Sequence, residues 1–199
     1  MSADRAYASD IAFTDTVKAL QASNGSRSAY ARMEQGQGWQ ESITADLAHF
    51  LSERDMFYLG TANSEGQPYI QYRGGPPGFL KVVDDKTLGF ADFGGNRQFI
   101  STGNASDNPK AFLFLMDYEE SRRVKIWARI RVIEDDPVLI TQLTDANYPA
   151  RAERAVLFTI DAWDANCPQH IHKRVLKSES DAEIARLRNR IKELEAQAR

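Results

Sequence analysis

The first forty residues are mostly polar, and their few large apolar side chains fall at helical spacing. Phe13, Val17 and Leu20 would share one face of a helix, for which Asp10 is the predicted N-cap. The glycine-containing run Gln35–Gly38 then breaks the helical pattern. Because this segment offers little apolar surface of its own, we expect it to wrap over a core that the rest of the chain forms.

Beyond this segment the pattern predicts one more helix and then a series of short strands. Thr44 is the predicted N-cap of a helix over Ala45–Glu53. Asp135 or Asp136 is expected to begin a later helix over Pro137–Asp145. The remaining apolar runs are short and bounded by turn residues, which is typical of strands. The predicted strands are Met56–Ala62, Pro68–Arg73, Phe79–Val83, Thr87–Asp92, Lys110–Asp117, Arg123–Ile133 and Ala155–Ile160.

The predicted strands favour an antiparallel barrel. Asn63–Gly66 supplies turn residues between the first two strands, so this pair is expected to form a hairpin. Lys110–Asp117 is almost continuously apolar, as in a strand buried on both faces. In Arg123–Ile133, apolar and basic residues alternate, which places them on opposite faces. With few helices between the strands, the expected architecture is a closed antiparallel barrel.

The last 22 residues change to a heptad pattern. In a parallel pair of such helices, Glu183 at position g would face Arg188 at position e of the second helix, and Arg190 would face Glu195. Pairing with a second helix is the favoured interpretation, and the alternative is one amphipathic helix docked on its own domain. The apolar residues at positions a and d are Ile184, Leu187, Ile191 and Leu194.

The composition fits one globular domain with extensions. The 199 residues carry a formal net charge of −3, which gives no general basic field for a nucleic acid. A single cysteine, a polar N-terminus and the lack of a long apolar run lead us to expect a cytoplasmic protein without a membrane partner. The predicted parts are a helical wrapping segment over residues 1–43, a barrel domain over 44–177 and a coiled-coil-like helix over 178–199.

The run Gly94–Gln98 is the most informative candidate site. Its glycines allow close backbone approach, and the following Asn, Arg and Gln supply donors at the start of a predicted helix. Free N–H groups, the positive end of a helix and a guanidinium together bind phosphate. Arg73, Arg122 and Arg123 lie at strand ends and would add cations if they met at one rim. For any one arginine alone, a solvated surface position is the simpler interpretation.

The stretch from about residue 45 to residue 174 resembles the FMN-binding split-barrel family related to pyridoxamine 5′-phosphate oxidase. The resemblance implies a mainly β (α+β) protein, an antiparallel FMN-binding split β-barrel with flanking helices, to which the heptad pattern adds a C-terminal helix. It also implies a homodimer with the cofactor at the subunit interface. The closing Asn-Cys-Pro-Gln-His-Ile is similar to one uncharacterised branch. The segments that carry the resemblance are Phe57–Ala62, Gln71–Pro76, Gly95–Gln98, Asn108–Lys110 and Asn166–Ile171.

The resemblance implies a phosphate clamp. Arg73, followed by Gly74, corresponds to a strand arginine that approaches the flavin and its phosphate tail. Asn96, Arg97 and Gln98 correspond to a Ser-Arg-Lys clamp. Since Gln98 replaces a charged lysine, Arg97 is expected to do more of the neutralising.

Five further positions are implied at the flavin. Lys81 corresponds to a lysine at the flavin edge, and Arg123 to a glutamine on the flavin. Gln169, His170 and Arg174 are candidates for a contribution from the C-terminal segment or the second chain.

The function that the resemblance implies is an FMN-dependent oxidoreductase of unknown small-molecule substrate or electron donor. The alternatives are a non-catalytic flavin- or haem-binding sensor or carrier, and a deazaflavin in place of FMN. The chain ends in a heptad helix where the oxidase has substrate contacts, so vitamin B6 oxidation is not assigned, and no residue stands out as a catalytic acid or base. Cys167, His170 and His172 form too small a set for a structural zinc, and no metal site is predicted.

Overall fold

Seven strands form one antiparallel sheet in the computed structural model of the protein, which describes residues 5–166 and 169–198. Each strand follows a run that the apolar pattern singles out. The order across the sheet is β2-β1-β5-β6-β7-β4-β3. The strands are β1 (Met56–Ala62), β2 (Pro68–Gly74), β3 (Lys81–Val82), β4 (Thr87–Phe93), β5 (Lys110–Asp117), β6 (Arg122–Ile133) and β7 (Ala152–Asn166).

The described residues form six α-helices, of which the first five lie beside the sheet. Thr44 and Asp136 cap α3 and α5 through bonds from the N–H groups of Leu47 and Leu139, as the sequence predicts. The prediction for Asp10 is wrong, because Thr14 is the N-cap of α1 and the Asp10 carboxylate binds Lys18 instead. The helices are α1 (Asp15–Ser23), α2 (Arg27–Gln35), α3 (Ala45–Ser52), α4 (Ile100–Asp107), α5 (Pro137–Leu143) and α6 (Lys177–Gln197).

Strict alternation along the strands builds the core. In β6, Val124, Ile126, Ala128 and Ile130 face inward and are buried, while the basic residues between them face outward. β5 alternates in the same way, so the expectation that Lys110–Asp117 is buried on both faces is wrong. In β5 and β6, every second side chain therefore points into the curved sheet and contributes to the core.

Aromatic rings from distant strands meet inside the sheet. Phe57 of β1 lies 5.7 Å from both Phe79 and Phe90 and 6.1 Å from Phe158 of β7, measured between ring centroids. These contacts bring the first strand against β4 and β7, which are far from it in the sheet order. The sheet is therefore curled into a barrel around this cluster.

The barrel is split rather than closed. β2 and β3 are the two edges of the sheet in the part of the chain that the structure describes, and no ladder of backbone bonds joins them. β3 is only two residues long, shorter than the predicted strand Phe79–Val83, because Gly78 with φ +77° and a turn at Pro76–Phe79 hold the chain away from β4 until Lys81. The expectation of a closed barrel is corrected to the split barrel.

The N-terminal segment lies on the outer face of β6 and β7. Trp39 stacks on Trp127 of β6 with 4.5 Å between the ring centroids, and Phe13 contacts Trp39 at 5.2 Å. Trp163 of β7 donates its indole N–H to the carbonyl of Ser42 over 2.8 Å. The Trp127 ring is therefore covered by the protein's own Trp39.

The C-terminal helix α6 stands apart from this core. None of its described residues is buried, and its four heptad residues are 45–55% exposed. Across the described residues, every helix is too short or too polar to cross a membrane.

We predict that Phe57→Ala lowers the free energy of unfolding by about 3–5 kcal/mol, because it empties the centre of the aromatic cluster. Leu20→Ala, at a residue 59% exposed on α1, is the control and should change it by about 0.5 kcal/mol or less. Urea unfolding at one protein concentration measures both. Equal losses in the two variants would contradict the placement of Phe57 at the centre.

Candidate functional site

Three charged side chains meet on the inner face at one end of the barrel. Arg73 of β2 donates from Nη1 to Oδ1 of Asp92 on β4 over 2.6 Å. Arg154 of β7 places its Nε 3.5 Å from the other carboxylate oxygen of Asp92. The pairing of Asp92 with Arg154 in the β4–β7 register explains why these two share a face. One carboxylate thus holds two guanidinium groups.

Arg154 is the most buried cation of this group. Only 8% of the residue is exposed, and its two terminal nitrogens donate to Glu134 over 3.2 Å and to Glu153 over 3.0 Å. Its guanidinium carbon lies 5.3 Å from the centre of the Phe99 ring. Burial of a charge requires such a set of partners, so the position of this guanidinium is fixed.

The loop after β4 forms the other wall. Residues 94–100 are exposed. Arg97 and Phe99 have φ of +57° and +55°, a conformation that costs side-chain-bearing residues about 1–3 kcal/mol each. The Asn96 side-chain oxygen accepts from the Gln98 N–H. Strain of this kind persists only where the surrounding structure holds it, and it is concentrated at functional sites.

Helix α4 begins at this loop, as the sequence predicts. No side chain caps its first turn. Ser101 in that turn donates its hydroxyl to Gln71 of β2 over 2.6 Å, and Asn104 donates to Thr61 of β1 over 3.0 Å. These bonds fix the helix against β1 and β2 with its positive end at the loop.

Together these elements line a cleft that opens to solvent, which we call the mouth cleft; its volume is about 480 Å³ when the open solvent at its entrance is included. It is lined by three arginines and two carboxylates, so its local charge is positive. Among the described residues, none forms an ion pair with Arg97. Two buried atoms, Arg73 Nε and Arg154 Nε, also have no hydrogen-bond partner among those residues. The charged and polar lining residues are Tyr69, Gln71, Arg73, Asp92, Asn96, Arg97, Gln98, Ser101, Thr102, Glu153 and Arg154.

This donor set suits an anion with several oxygens. Guanidinium groups bind phosphate oxygens in pairs, and the N–H groups of an uncapped helix start add neutral donors. The structure thus brings together four of the sequence-predicted residues, Arg73, Asn96, Arg97 and Gln98.

Other predicted residues lie away from the mouth cleft of the same chain. Arg123 is on the outer face of β6, opposite in direction to Val124. Lys81 donates to the carbonyls of Gln142 and Thr144, over 3.0 and 3.3 Å, at the end of α5. Gly74 ends β2 beyond Arg73 and faces outward.

The C-terminal candidates lie beside the outer face as well. Gln169 and His170 are exposed in a turn, and the guanidinium carbon of Arg174 lies 4.9 Å from the centre of the Tyr118 ring. Arg174, Tyr118 and Tyr72 line a second depression, the outer groove, with residues 53–56, 116–119 and 174–176. Cys167 lies outside the described residues.

Burial raises the pKa of two tyrosines in the outer groove. For Tyr118, burial is the largest cause, and neighbouring Tyr58 adds to it. For Tyr72, which is 62% exposed overall, partial burial against the groove is the largest cause, followed by the negative charge of Asp55. Both hydroxyls are therefore protonated at neutral pH.

Sequence reasoning missed Arg154 and Asp92. The predicted strand began at Ala155, one residue too late to include Arg154. Every second residue of this strand, counted backwards from the inward-facing Phe158, also faces inward, and the series includes Arg154. Strand alternation therefore contains the information that places Arg154 inside the barrel. Asp92 ends the predicted strand Thr87–Asp92, and no local pattern marks it as a site residue.

A protein family and several solved structures are similar to this chain. A family model described as pyridoxamine 5′-phosphate oxidase matches residues 43–167, more than half of the chain. A search of curated proteins gives no match.

Solved structures show the same fold at low identity. HupZ from group A Streptococcus superposes with a TM-score of 0.51 at 13% identity, covering 67% of this chain and 100% of HupZ. A Clostridium acetobutylicum protein of the pyridoxinephosphate oxidase family, related to general stress protein 26, gives 0.46 at 15% identity, covering 66% and 92%. An FMN-binding protein from Syntrophomonas wolfei gives 0.45 at 13%, covering 73% and 97%.

We predict that Asp92→Ala lowers the free energy of unfolding by about 3 kcal/mol, because it leaves two largely buried guanidinium groups without their shared carboxylate. Asp161→Ala is the matched control. It removes the carboxylate of a pair with the half-exposed Arg129 and should cost less than about 1 kcal/mol. Denaturant unfolding compares the two, and a loss for Asp92→Ala no larger than the control would show that the cluster does not stabilise the barrel.

Proposed function

Because this chain belongs to the pyridoxamine 5′-phosphate oxidase family, we propose that it binds FMN in the mouth cleft and acts as an FMN-dependent oxidoreductase. The observation that carries the proposal is the meeting of Arg73, Arg97 and Arg154 at the uncapped start of α4. The substrate of the reaction is a small molecule of unassigned class.

The donors of the mouth cleft fit the phosphate of FMN. Arg97 has no carboxylate partner among the described residues and sits on the exposed rim, where it is available to a ligand. Arg73 Nε is a buried donor without a hydrogen-bond partner among the described residues, of the kind that an anion satisfies, whereas Arg154 Nε faces the Asp92 carboxylate at 3.5 Å. Asn96 and Gln98 add neutral donors beside Arg97.

When bound, FMN supplies the redox chemistry, since its ring accepts a hydride or electrons. The chain's own residues bind and orient it. In this proposal Asp92 keeps Arg73 and Arg154 in place before the ligand arrives, so that little reorganisation is needed on binding. Glu153 and Glu134 hold Arg154 from its other side.

We further propose a homodimer in which the second chain completes the site. Gly74 and Arg123 lie on the outer face, Arg174 lines the outer groove, and Gln169 and His170 are exposed in a turn. These five residues are not among those that line the mouth cleft of their own chain. Contact between the outer face of one chain and the mouth cleft of another would bring these five residues close to the flavin. Lys81 lies apart from both, where its ammonium donates to the carbonyls at the end of α5, and its place at the flavin edge stays a prediction of the resemblance.

Exposed apolar residues support an interface on that outer face. Ile70 and Tyr72 project outward from β2 and are 69% and 62% exposed. Exposed apolar side chains next to one another on an edge strand mark an interaction surface more often than a solvated one.

We predict that Arg97→Ala weakens FMN binding about 10- to 150-fold, because it removes a charge-assisted bond of about 1.5–3 kcal/mol. Quenching of flavin fluorescence in a titration measures the affinity. Riboflavin, which has no phosphate, should bind Arg97→Ala and the unaltered protein equally. Arg131→Ala, which removes an exposed cation outside the mouth cleft, is the control and should leave FMN binding unchanged. An unchanged FMN affinity in Arg97→Ala would refute the placement of the phosphate.

Turnover distinguishes an enzyme from a carrier. The FMN-loaded protein should consume NADPH or NADH steadily in the presence of an electron acceptor. Tight binding of FMN with no consumption of either nucleotide would support the non-catalytic carrier instead.

Deletion of residues 178–199 should leave a folded dimer, because the outer face of the barrel supplies the proposed interface. Sedimentation velocity of the shortened and full chains measures their mass. A shortened chain that sediments as a folded monomer would show that the barrel surface does not hold the pair together.

A further inference from the structure

The apolar stripe of α6 is not covered by its own barrel. The helix spans about 30 Å, at 1.5 Å per residue, and has no buried residue. Its stripe follows the heptad spacing of a coiled coil rather than the broader face of a helix that docks on a globular core. The stripe consists of Ile184, Leu187, Ile191 and Leu194.

We propose that α6 pairs in parallel and in register with α6 of a second copy of this chain. Isoleucine at a and leucine at d favour two strands over three or four. This pairing is independent of the cofactor that the mouth cleft binds.

The charges beside the stripe select the parallel orientation. In a parallel pair, Glu183 of each helix faces Arg188 of the other, and Arg190 faces Glu195, which gives four opposite-charge contacts in the symmetric dimer. All four residues are exposed. In the single chain Glu183 pairs with Arg186 and Arg190 pairs with Glu193 on the same helix, so the parallel pair exchanges these exposed contacts for contacts between helices.

The antiparallel arrangement that aligns the same apolar residues places like charges together. Arg188 then lies beside its own counterpart, and so does Arg190. Asp181 lies beside Glu195. Charges at these flanking positions set orientation and partner choice in coiled coils.

The start of α6 is fixed to the barrel. The Arg174 N–H donates to the Tyr118 carbonyl over 3.3 Å, only three residues before the helix begins at Lys177. Val175 and Leu176 line the outer groove next to this bond. A parallel pair therefore joins two barrels at the same end of their outer grooves.

A disulfide at the end of the chain tests the orientation. A Gly-Gly-Cys extension is added after residue 199 of the full chain carrying Cys167→Ser. In a parallel pair the two extensions meet, and in an antiparallel pair they lie about 30 Å apart. In a glutathione redox buffer, cross-linking should proceed about 100-fold faster than in the same chain with Ile191→Asp, which breaks the stripe.

Charge variants of the extended chain test the partner. Arg188→Glu should slow cross-linking at least about 10-fold, and Glu183→Arg added to it should restore the rate, since the facing pair is again opposite in charge. Lys192→Glu is the matched control, because position b faces away from the seam and Lys192 is in no ion pair among the described residues, and it should keep the original rate.

Three results would overturn the proposal. The first is cross-linking no faster than in the Ile191→Asp chain, as expected if α6 binds another protein or a barrel. The second is equal slowing in Arg188→Glu and Lys192→Glu. The third is failure of the double variant to recover while circular dichroism shows an intact helix.

Discussion

The carboxylate of Asp92 is the constraint on which the open end of the barrel depends. The two edges of the sheet share no backbone ladder, so at this end side chains must hold β2 against β4. Asp92 does so by binding Arg73 across the split, while it also contacts Arg154 on the neighbouring strand. The ion cluster stabilises the barrel only because all three side chains are present, since removing one leaves a buried charge unpaired.

The same cluster prepares the site. Within the described part of the chain, Arg73 Nε keeps a donor without a hydrogen-bond partner, and Arg97 adds a third cation on the rim of the cleft. Asp92 stabilises the fold by pairing with Arg73 and Arg154, and these two cations would also attract a phosphate. The stability of this end of the barrel and the affinity of the cleft for an anion are therefore linked through the Asp92 carboxylate. A phosphate in the cleft would share the arginine partners of Asp92.

Helix caps and strand alternation depend only on residues that are close in sequence, and local patterns predicted them. The caps at Thr44 and Asp136 and the alternation of β6 require only nearby side chains, and each was predicted from the sequence. Alternation also places Arg123 opposite Val124, so its absence from the cleft of its own chain follows from the same pattern. The partners of Lys81 lie more than sixty residues away, at the end of α5, and no local pattern contains them.

Two faces of one barrel carry complementary halves of the proposed site. The cleft holds the donors for a phosphate, and the outer face holds Arg123 and Arg174 with donors from Tyr72 and Tyr118. A single chain cannot bring its own outer face to its own cleft, because the sheet lies between them. In a two-fold dimer each interaction occurs twice, so each chain would complete the other's site. A parallel α6 pair obeys the same symmetry, because its two helices are also related by a two-fold axis. The helix would then raise the effective concentration of one barrel beside the other without contacting the cofactor.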